Sequence, residues 1–270
     1  MPATSRLSYW SKRRATWERN AQHWGPLAAK DLVNGLDKVQ FLPESCVESS
    51  SLCLGLDCQY AGDVEHAELF FRRAVAVADK LIAEDKCRSN PINEGGYPQN
   101  LAVVIRGRAY SRWLLGAGLD RAEMRQVAEH MVTWCLTKAL DRKRIHDSMT
   151  MSPYMEGVRA AMVACDLDLA AEFLRTKHKF HWHHALERDL WTRLIAAYPD
   201  VNDDLKEEVE AFFDRVRDPD FEEKPDGKVP TFLNRDILAL ETGIIRQMYV
   251  INNSALDPVD PKDVIRAVAR

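Results

Sequence analysis

The sequence predicts an all-α fold in which helical hairpins stack on one another. Glycine and proline are scarce, with 12 of each in 270 residues, and strand-like alternation of polar and apolar residues is rare. The stretch from Leu54 to Ala74 combines two helix-like apolar patterns with a Gly62-Asp63 turn between them. One hairpin cannot bury its apolar face alone, so we expect neighbouring hairpins to stack against it.

The composition is that of an ordinary globular protein, with 46% hydrophobic and 29% charged residues. We expect a single helical domain over residues 1–270: N-terminal helices in 1–44, hairpins in 45–198, and an acidic helix, a loop and C-terminal helices in 199–270. The net charge of −4 does not by itself imply a nucleic-acid ligand. The six cysteines form no C-x-x-C pair and are expected to be reduced, buried thiols.

The N-terminal segment is basic and rich in tryptophan. Ser5 to Trp24 is a predicted helix in which Trp10, Trp17 and Trp24 recur on one stripe. A basic aromatic helix can bind nucleic acid, but we favour a stripe that docks on the protein's own core. A second helix is expected from Pro26 to about Gln40. No apolar stretch follows the basic residues and no segment approaches about 18 apolar residues, which favours a cytoplasmic protein without membrane contact.

The best-patterned unit covers residues 48–81. Its second helix carries an apolar seam at helical spacing, and small residues lie where the two helices must touch. The seam and the matching positions of the first helix and turn are Leu54, Gly55, Gly62, Asp63, Ala67, Phe71, Ala74, Ala78 and Leu81. At these spacings the segment resembles one tetratricopeptide-type repeat.

A polar connection over residues 87–100 precedes the next hairpin and is a candidate binding loop through Tyr97, although a passive connector is the simpler interpretation. The helix Leu101 to Leu115 then places Arg108 and Arg112 on one face at the i, i+4 spacing. These two cations are candidate ligands for a carboxylate.

Two further hairpins follow with less regular spacing. Asp120 is the expected N-cap of one helix, with Glu123 at the capping-box position. Pro153 is expected to open another helix, and a turn at Asp166 leads into a short one. Relative to the first hairpin the register slips by about three residues, so the array is irregular.

A histidine cluster occupies the segment after residue 175. If the segment is helical, its histidines and one glutamate follow one another every three residues, which is compatible with zinc or iron ligands. These residues are His178, His181, His184 and Glu187, and His183 lies next to them in the cluster. The spacing drifts around a helix and no H-E-x-x-H motif is present, so we favour packing or partner contact over a metal site.

The most acidic part of the chain lies between Asp200 and Lys224, with eleven acidic and four basic residues. Much of it is a predicted helix, Asp203 to Arg217, followed by a loop. Such a face can occupy a basic cleft on a partner, although a solvated surface helix is an equal alternative. The candidate partner-binding carboxylates are Asp203, Asp204, Glu207, Glu208, Glu210, Asp214, Asp218 and Asp220. The apolar helix Thr231 to Ile251 is expected in the core.

Three features together resemble the all-helical immunity proteins that accompany bacterial polymorphic and contact-delivered toxins. They are the segment from Trp134 to Pro153, the hairpins with small residues and acidic turns, and the apolar penultimate helix. The resemblance covers roughly residues 60–250. It implies a fold and a mode of action, neutralisation of a toxin by binding, and it carries over no active site and no interface residue.

The preferred hypothesis is therefore a non-catalytic immunity protein, monomeric or weakly dimeric, that binds a toxin domain and needs no cofactor or metal. One alternative is a tetratricopeptide-like adaptor that grips a peptide through Arg108 and Arg112. Another is a metal-dependent helical hydrolase centred on the histidine cluster. No P-loop, G-x-S-x-G or dinucleotide-binding motif occurs, so catalysis is not expected.

Overall fold

The computed structural model describes residues 44–84, 97–142, 148–175, 182–217 and 235–269. Every regular element in these ranges is a helix, which confirms the all-α prediction. In chain order they are α1 Glu44–Tyr60, α2 Val64–Ala83, α3 Tyr97–Leu114, α4 Arg121–Arg142, α5 Ser148–Val163, α6 Leu167–Leu174, α7 Trp182–Ala197, α8 Asp203–Arg217, α9 Arg235–Arg246 and α10 Pro261–Ala269, with a π-helical turn at Gln247–Ile251. The predicted helices before residue 44 lie outside the described residues.

The predicted first hairpin is present as α1 and α2. Its seam is buried, as predicted, at Ala67, Phe71, Ala74, Ala78 and Leu81. Gly62 turns the chain with a φ of +83°, and Asp63 caps α2 by accepting a hydrogen bond from the His66 amide. A Cβ at Gly55 would lie 2.3 Å from the Phe71 ring, so the two helices pack closely because position 55 has no side chain.

The same turn chemistry starts every second helix of the array. The side chains of Asp120, Asp166 and Asn202 accept hydrogen bonds from the amide three residues ahead, at 3.0, 3.0 and 2.9 Å. Each cap satisfies one of the amides that a helix start leaves without a partner. The capping predicted at Asp120 is therefore confirmed, and α3 with α4, α5 with α6, and α7 with α8 repeat the local design of the first hairpin.

Two helix starts differ from the sequence prediction. α3 begins at Tyr97 rather than Leu101, and α5 begins at Ser148, ahead of Pro153. The first case places Pro98 in the first turn, where its missing N–H costs little. Residues 97–100 of the predicted loop 87–100 are therefore helical. Residues 87–96 lie outside the described residues.

Most of the core is one large apolar cluster that extends from Leu52 in α1 to Val268 in α10. A smaller cluster lies between α2 and α3, with Val77, Ala78, Leu81 and Val104. α9 crosses its centre and contacts α1, α5, α8 and α10. The prediction that the penultimate apolar helix forms core is confirmed: Leu240, Ile244 and Met248 are at most 1% exposed. None of the described helices combines the length and the apolar character that a membrane crossing requires.

Candidate functional site

The acidic helix α8 is anchored in the core along one side. Leu205, Val209, Phe213 and Val216 are buried, and the Phe212 ring meets Trp191 edge-on with centroids 5.5 Å apart. The guanidinium groups of Arg217 and Arg246 each lie 5.2 Å from the Phe213 ring centroid. The helix orientation is thus set by packing, which leaves its polar residues on the opposite side.

Several of the predicted carboxylates on α8 are engaged within the protein. Glu208 pairs with both terminal nitrogens of Arg193, at 2.8 and 2.5 Å. Glu210 accepts a hydrogen bond of 2.6 Å from Arg246, and Asp214 pairs with Arg217. Asp203 pairs with Lys206 at 2.9 Å. The pairs with Arg193 and Arg246 hold α8 against α7 and α9, and the other two lie within α8.

Asp204 and Glu207 differ from the other carboxylates of α8. Both are exposed, and neither forms a hydrogen bond or ion pair with any residue that the structure describes. Together with Asp203 and Asp214, which retain exposed side chains, they form the acidic outward face of α8. Asp218 and Asp220 lie outside the described residues, so the face is defined here by four carboxylates.

An open cleft of about 480 Å³ lies beside this face, between the end of α7 and the start of α8. Asp204 lines it together with the Arg193–Glu208 ion pair, while Ala196, Ala197 and Leu205 supply its apolar part. A shallow cleft with an apolar floor and a charged rim suits a protruding side chain of a protein partner better than an enclosed small molecule.

Arg108 and Arg112 do share a face, as the sequence predicts, but both are paired internally. Arg108 bonds to Asp79 at 3.1 Å and to Glu123 at 2.6 Å. Arg112 bonds to the same two carboxylates, at 2.9 and 3.5 Å. The four side chains tie α2, α3 and α4 together, so a partner carboxylate has to compete with two existing ones. The side chain of Tyr97 lies outside the described residues.

The metal site that was the alternative interpretation of the histidine cluster loses its carboxylate. Glu187 is 4% exposed and accepts hydrogen bonds from Arg159 at 2.5 Å and from the Trp191 indole at 3.0 Å. A carboxylate that already neutralises a buried guanidinium is a poor ligand for a cation. The part of the chain that the structure describes contains no group of metal-binding side chains. His178, His181 and the side chains of His183 and His184 lie outside it.

Glu187 belongs instead to a buried charge network that the sequence interpretation missed. The network is a chain of alternating charges drawn from α3, α5, α7 and α9. Its members are Glu156, Arg106, Glu241, Arg159 and Glu187, all at most 8% exposed. Alternation lets each guanidinium lie between two carboxylates, which offsets much of the cost of removing charge from water.

The contacts of the network are short. Arg106 bonds to Glu156 at 2.6 Å and lies 3.6 Å from Glu241, while Arg159 bonds to Glu241 at 2.6 Å. Burial alone would lower the pKa of Arg159, but the neighbouring Glu187 and Glu241 carboxylates outweigh burial and raise it above its ordinary value. The guanidinium groups therefore stay charged, and they serve to join four helices.

Tyr110 completes this centre. Its hydroxyl donates to Glu241 at 3.1 Å, and burial followed by the Glu241 charge raises its pKa well above the ordinary value. A tyrosine held neutral in this way is a hydrogen-bond donor and a poor general base. The network therefore has the properties of a structural centre.

Cys53 and Cys58 are buried, as predicted, whereas Cys165 is only partly buried. The side chains of Cys46, Cys87 and Cys135 lie outside the described residues.

Comparison with protein-family models finds no match, and comparisons with curated proteins and with solved structures find none either. The resemblance to immunity proteins therefore stays a prediction from the sequence.

Proposed function

We propose that this chain is a protein-binding protein, and specifically an immunity protein that neutralises a bacterial toxin domain by covering its active site. The observation that carries the proposal is the acidic outward face of α8. There, exposed carboxylates are mounted on a helix whose opposite side is fixed in the core.

The first supporting argument is rigidity. Phe213 is packed beneath the helix between two guanidinium groups, and ion pairs to Arg193 and Arg246 hold α8 on both flanks. A contact surface that is ordered before binding loses little conformational entropy on association. This favours recognition of one shaped partner over adaptable binding of many.

The second supporting argument is charge. Asp204 and Glu207 have no internal cation among the described residues, so a partner can pair with them without first breaking an ion pair. A toxin that acts on nucleic acid or nucleotides needs a basic cleft for its phosphates. An acidic helix placed over that cleft would steer association and exclude the substrate.

The adaptor alternative is less well supported. Its proposed ligands, Arg108 and Arg112, are both satisfied by Asp79 and Glu123. A peptide carboxylate would have to displace one of these side chains and would gain little in exchange, because the new ion pair would replace an equivalent one.

The test is binding of the purified full chain to any toxin domain that is encoded beside its gene, measured by biolayer interferometry. The test variant is Asp204→Lys with Glu207→Lys. An ion pair at about 4 Å in water contributes about 1 kcal/mol, reversal doubles the change and salt screening removes part of it. Two reversals amount to about 4 kcal/mol before screening, and screening at about 0.1 M salt leaves roughly half of this, so binding should weaken roughly 30-fold there and less at higher salt.

The matched control is Glu65→Lys with Glu172→Lys, which makes the same change in net charge at exposed carboxylates of α2 and α6. Thermal unfolding of both variants excludes misfolding. The proposal fails if the wild-type chain neither binds nor inhibits the toxin domain. The assignment of the acidic outward face of α8 fails if the two variants bind equally.

A further inference from the structure

A loop of residues 252–260 connects the π-helical turn to α10 and exposes a leucine at its tip. Leu256 is 75% exposed, more than any other large hydrophobic side chain in the described ranges. The preceding residue, Ala255, is only 6% exposed and lies in the core cluster. The loop thus turns from the core to solvent within one residue.

The backbone of this 252–260 loop is fixed by side chains from several elements. Arg121 donates to the carbonyl oxygens of Ala255 and Leu256, at 3.0 and 2.9 Å. The Trp113 indole donates to the Val259 carbonyl at 2.9 Å. These contacts hold the Leu256 main chain in place although its side chain touches little.

Two more hydrogen bonds converge on Ala255. The Cys165 thiol donates to the Ala255 carbonyl at 2.8 Å, and the Ala255 amide donates to the Tyr198 hydroxyl at 2.9 Å. Tyr198 lies in the turn just before α8, and its ring packs edge-on against Tyr249 with centroids 5.2 Å apart. The 252–260 loop is therefore linked through Tyr198 to the turn that precedes α8.

An isolated exposed leucine needs no explanation on most surfaces. Leu256 differs because the backbone of its loop, at Ala255, Leu256 and Val259, is hydrogen-bonded to side chains from four separate elements, which hold an apolar side chain in a form ready for binding. Burying such a side chain in a partner's pocket gains hydrophobic free energy without the entropy cost of ordering a loop. A few side chains that are buried in a partner's pocket, aliphatic ones among them, carry most of the binding energy of an interface.

The charges beside Leu256 indicate the partner's surface. Asp257 follows it directly, Asp260 lies at the end of the same loop, and Asp120 precedes the Arg121 that holds it; all three residues are exposed. The Arg121 guanidinium is engaged with two carbonyl groups. A second copy of this chain is disfavoured, since a two-fold contact would place like charges against each other. An apolar pocket with a basic rim is complementary.

We infer that Leu256 is the hydrophobic anchor of the surface that binds the basic toxin domain, and that the 252–260 loop and the start of α8 form one continuous interface. This inference rests on the proposed function. It adds a second, apolar contact to the acidic one and predicts a pocket beside the toxin's basic cleft.

The test uses the full chain and the same toxin domain, with the variant Leu256→Ala. Loss of a buried leucine side chain at an interface should weaken binding roughly 30-fold, mainly through faster dissociation. Asp257→Lys should weaken binding less and reduce its dependence on salt. The control is Leu69→Ala, at a leucine on α2 that is 60% exposed. Neither alanine variant should change the unfolding temperature, because both side chains are largely solvated.

The outcomes separate the two proposals. Weakening by Leu256→Ala with unchanged binding by Leu69→Ala supports the anchor. Wild-type binding that Leu256→Ala leaves intact overturns the anchor while the proposed function stands. Absence of wild-type binding overturns both. Self-association of the wild-type chain that Leu256→Ala abolishes, measured by analytical ultracentrifugation, would show that a second copy covers the loop and overturn the choice of partner.

Discussion

Replacement of Arg159 by methionine tests the buried charge network. Arg159 is 4% exposed and bonds to Glu241 at 2.6 Å and to Glu187 at 2.5 Å. Methionine fills much of the space of the aliphatic stem but leaves both carboxylates without this cation. Removing one partner from a buried ion pair costs about 3–5 kcal/mol. We therefore expect the free energy of unfolding to fall by about 4 kcal/mol.

The expected change in melting temperature follows from chain length. An unfolding entropy of about 2.1 cal/mol/K per residue applied to 270 residues gives about 0.6 kcal/mol/K. A loss of about 4 kcal/mol then lowers the midpoint by about 7 °C. Urea denaturation followed by circular dichroism measures the free energy, and differential scanning calorimetry measures the midpoint.

Arg193→Met is the matched control, because Arg193 also bonds to two carboxylates, Asp189 and Glu208, but its side chain is 43% exposed. Solvent screens the ion pairs of Arg193. Arg193→Met should therefore lower the free energy of unfolding by only a small fraction of the loss expected for Arg159→Met. The double variant Arg159→Met with Glu187→Gln should recover part of the stability, since glutamine still accepts from the Trp191 indole. Equal losses in the two arginine variants would refute the reasoning.

Two further predictions concern close packing and the 252–260 loop. Gly55→Ala should destabilise the fold by about 1–2 kcal/mol, because a Cβ would lie 2.3 Å from the Phe71 ring and overpacking outweighs the better helix propensity of alanine. Gly118→Ala, with open space around it, is the control in the same urea titration. Arg121→Ala should speed amide hydrogen exchange in the 252–260 loop about tenfold, because it removes two hydrogen bonds that each contribute at most about 1 kcal/mol. Unchanged exchange would show that other contacts hold the loop.

The sequence predicted the helices well because the determinants of a helix are local. Asp120 was recognised as a cap from its neighbours alone, and the seam through Phe71 from its spacing. Capping and periodicity involve residues within a few positions of each other. The sequence predicts the start of α3 too late. A proline after Tyr97 indicates a loop in the sequence, although it also fits the first turn of a helix.

The buried charge network was missed because its contacts join distant parts of the chain. Glu241 lies 82 positions from Arg159 in sequence. Taken alone, each of these charged residues predicts a position on the surface. A signal was nevertheless present. Glu156 and Arg159 stand among Met155 and Val158, where the helical period predicts buried positions. A charge at a core position predicts an opposite charge nearby, and only the fold identifies which one.

Close contacts at glycines and the buried charge network explain how an irregular array can still have one structure. The repeat is too irregular to set the register of the helices, so these contacts must set it. Close contacts at Gly55, Gly157 and Gly243 each leave less than 3.0 Å for an added Cβ, which fixes how three helix pairs approach. The buried charge network penalises any shift that separates an arginine from its carboxylates. With the core specified in this way, the exposed side chains of the 252–260 loop and of the acidic outward face of α8 carry little of the folding requirement, and they can vary to match a partner.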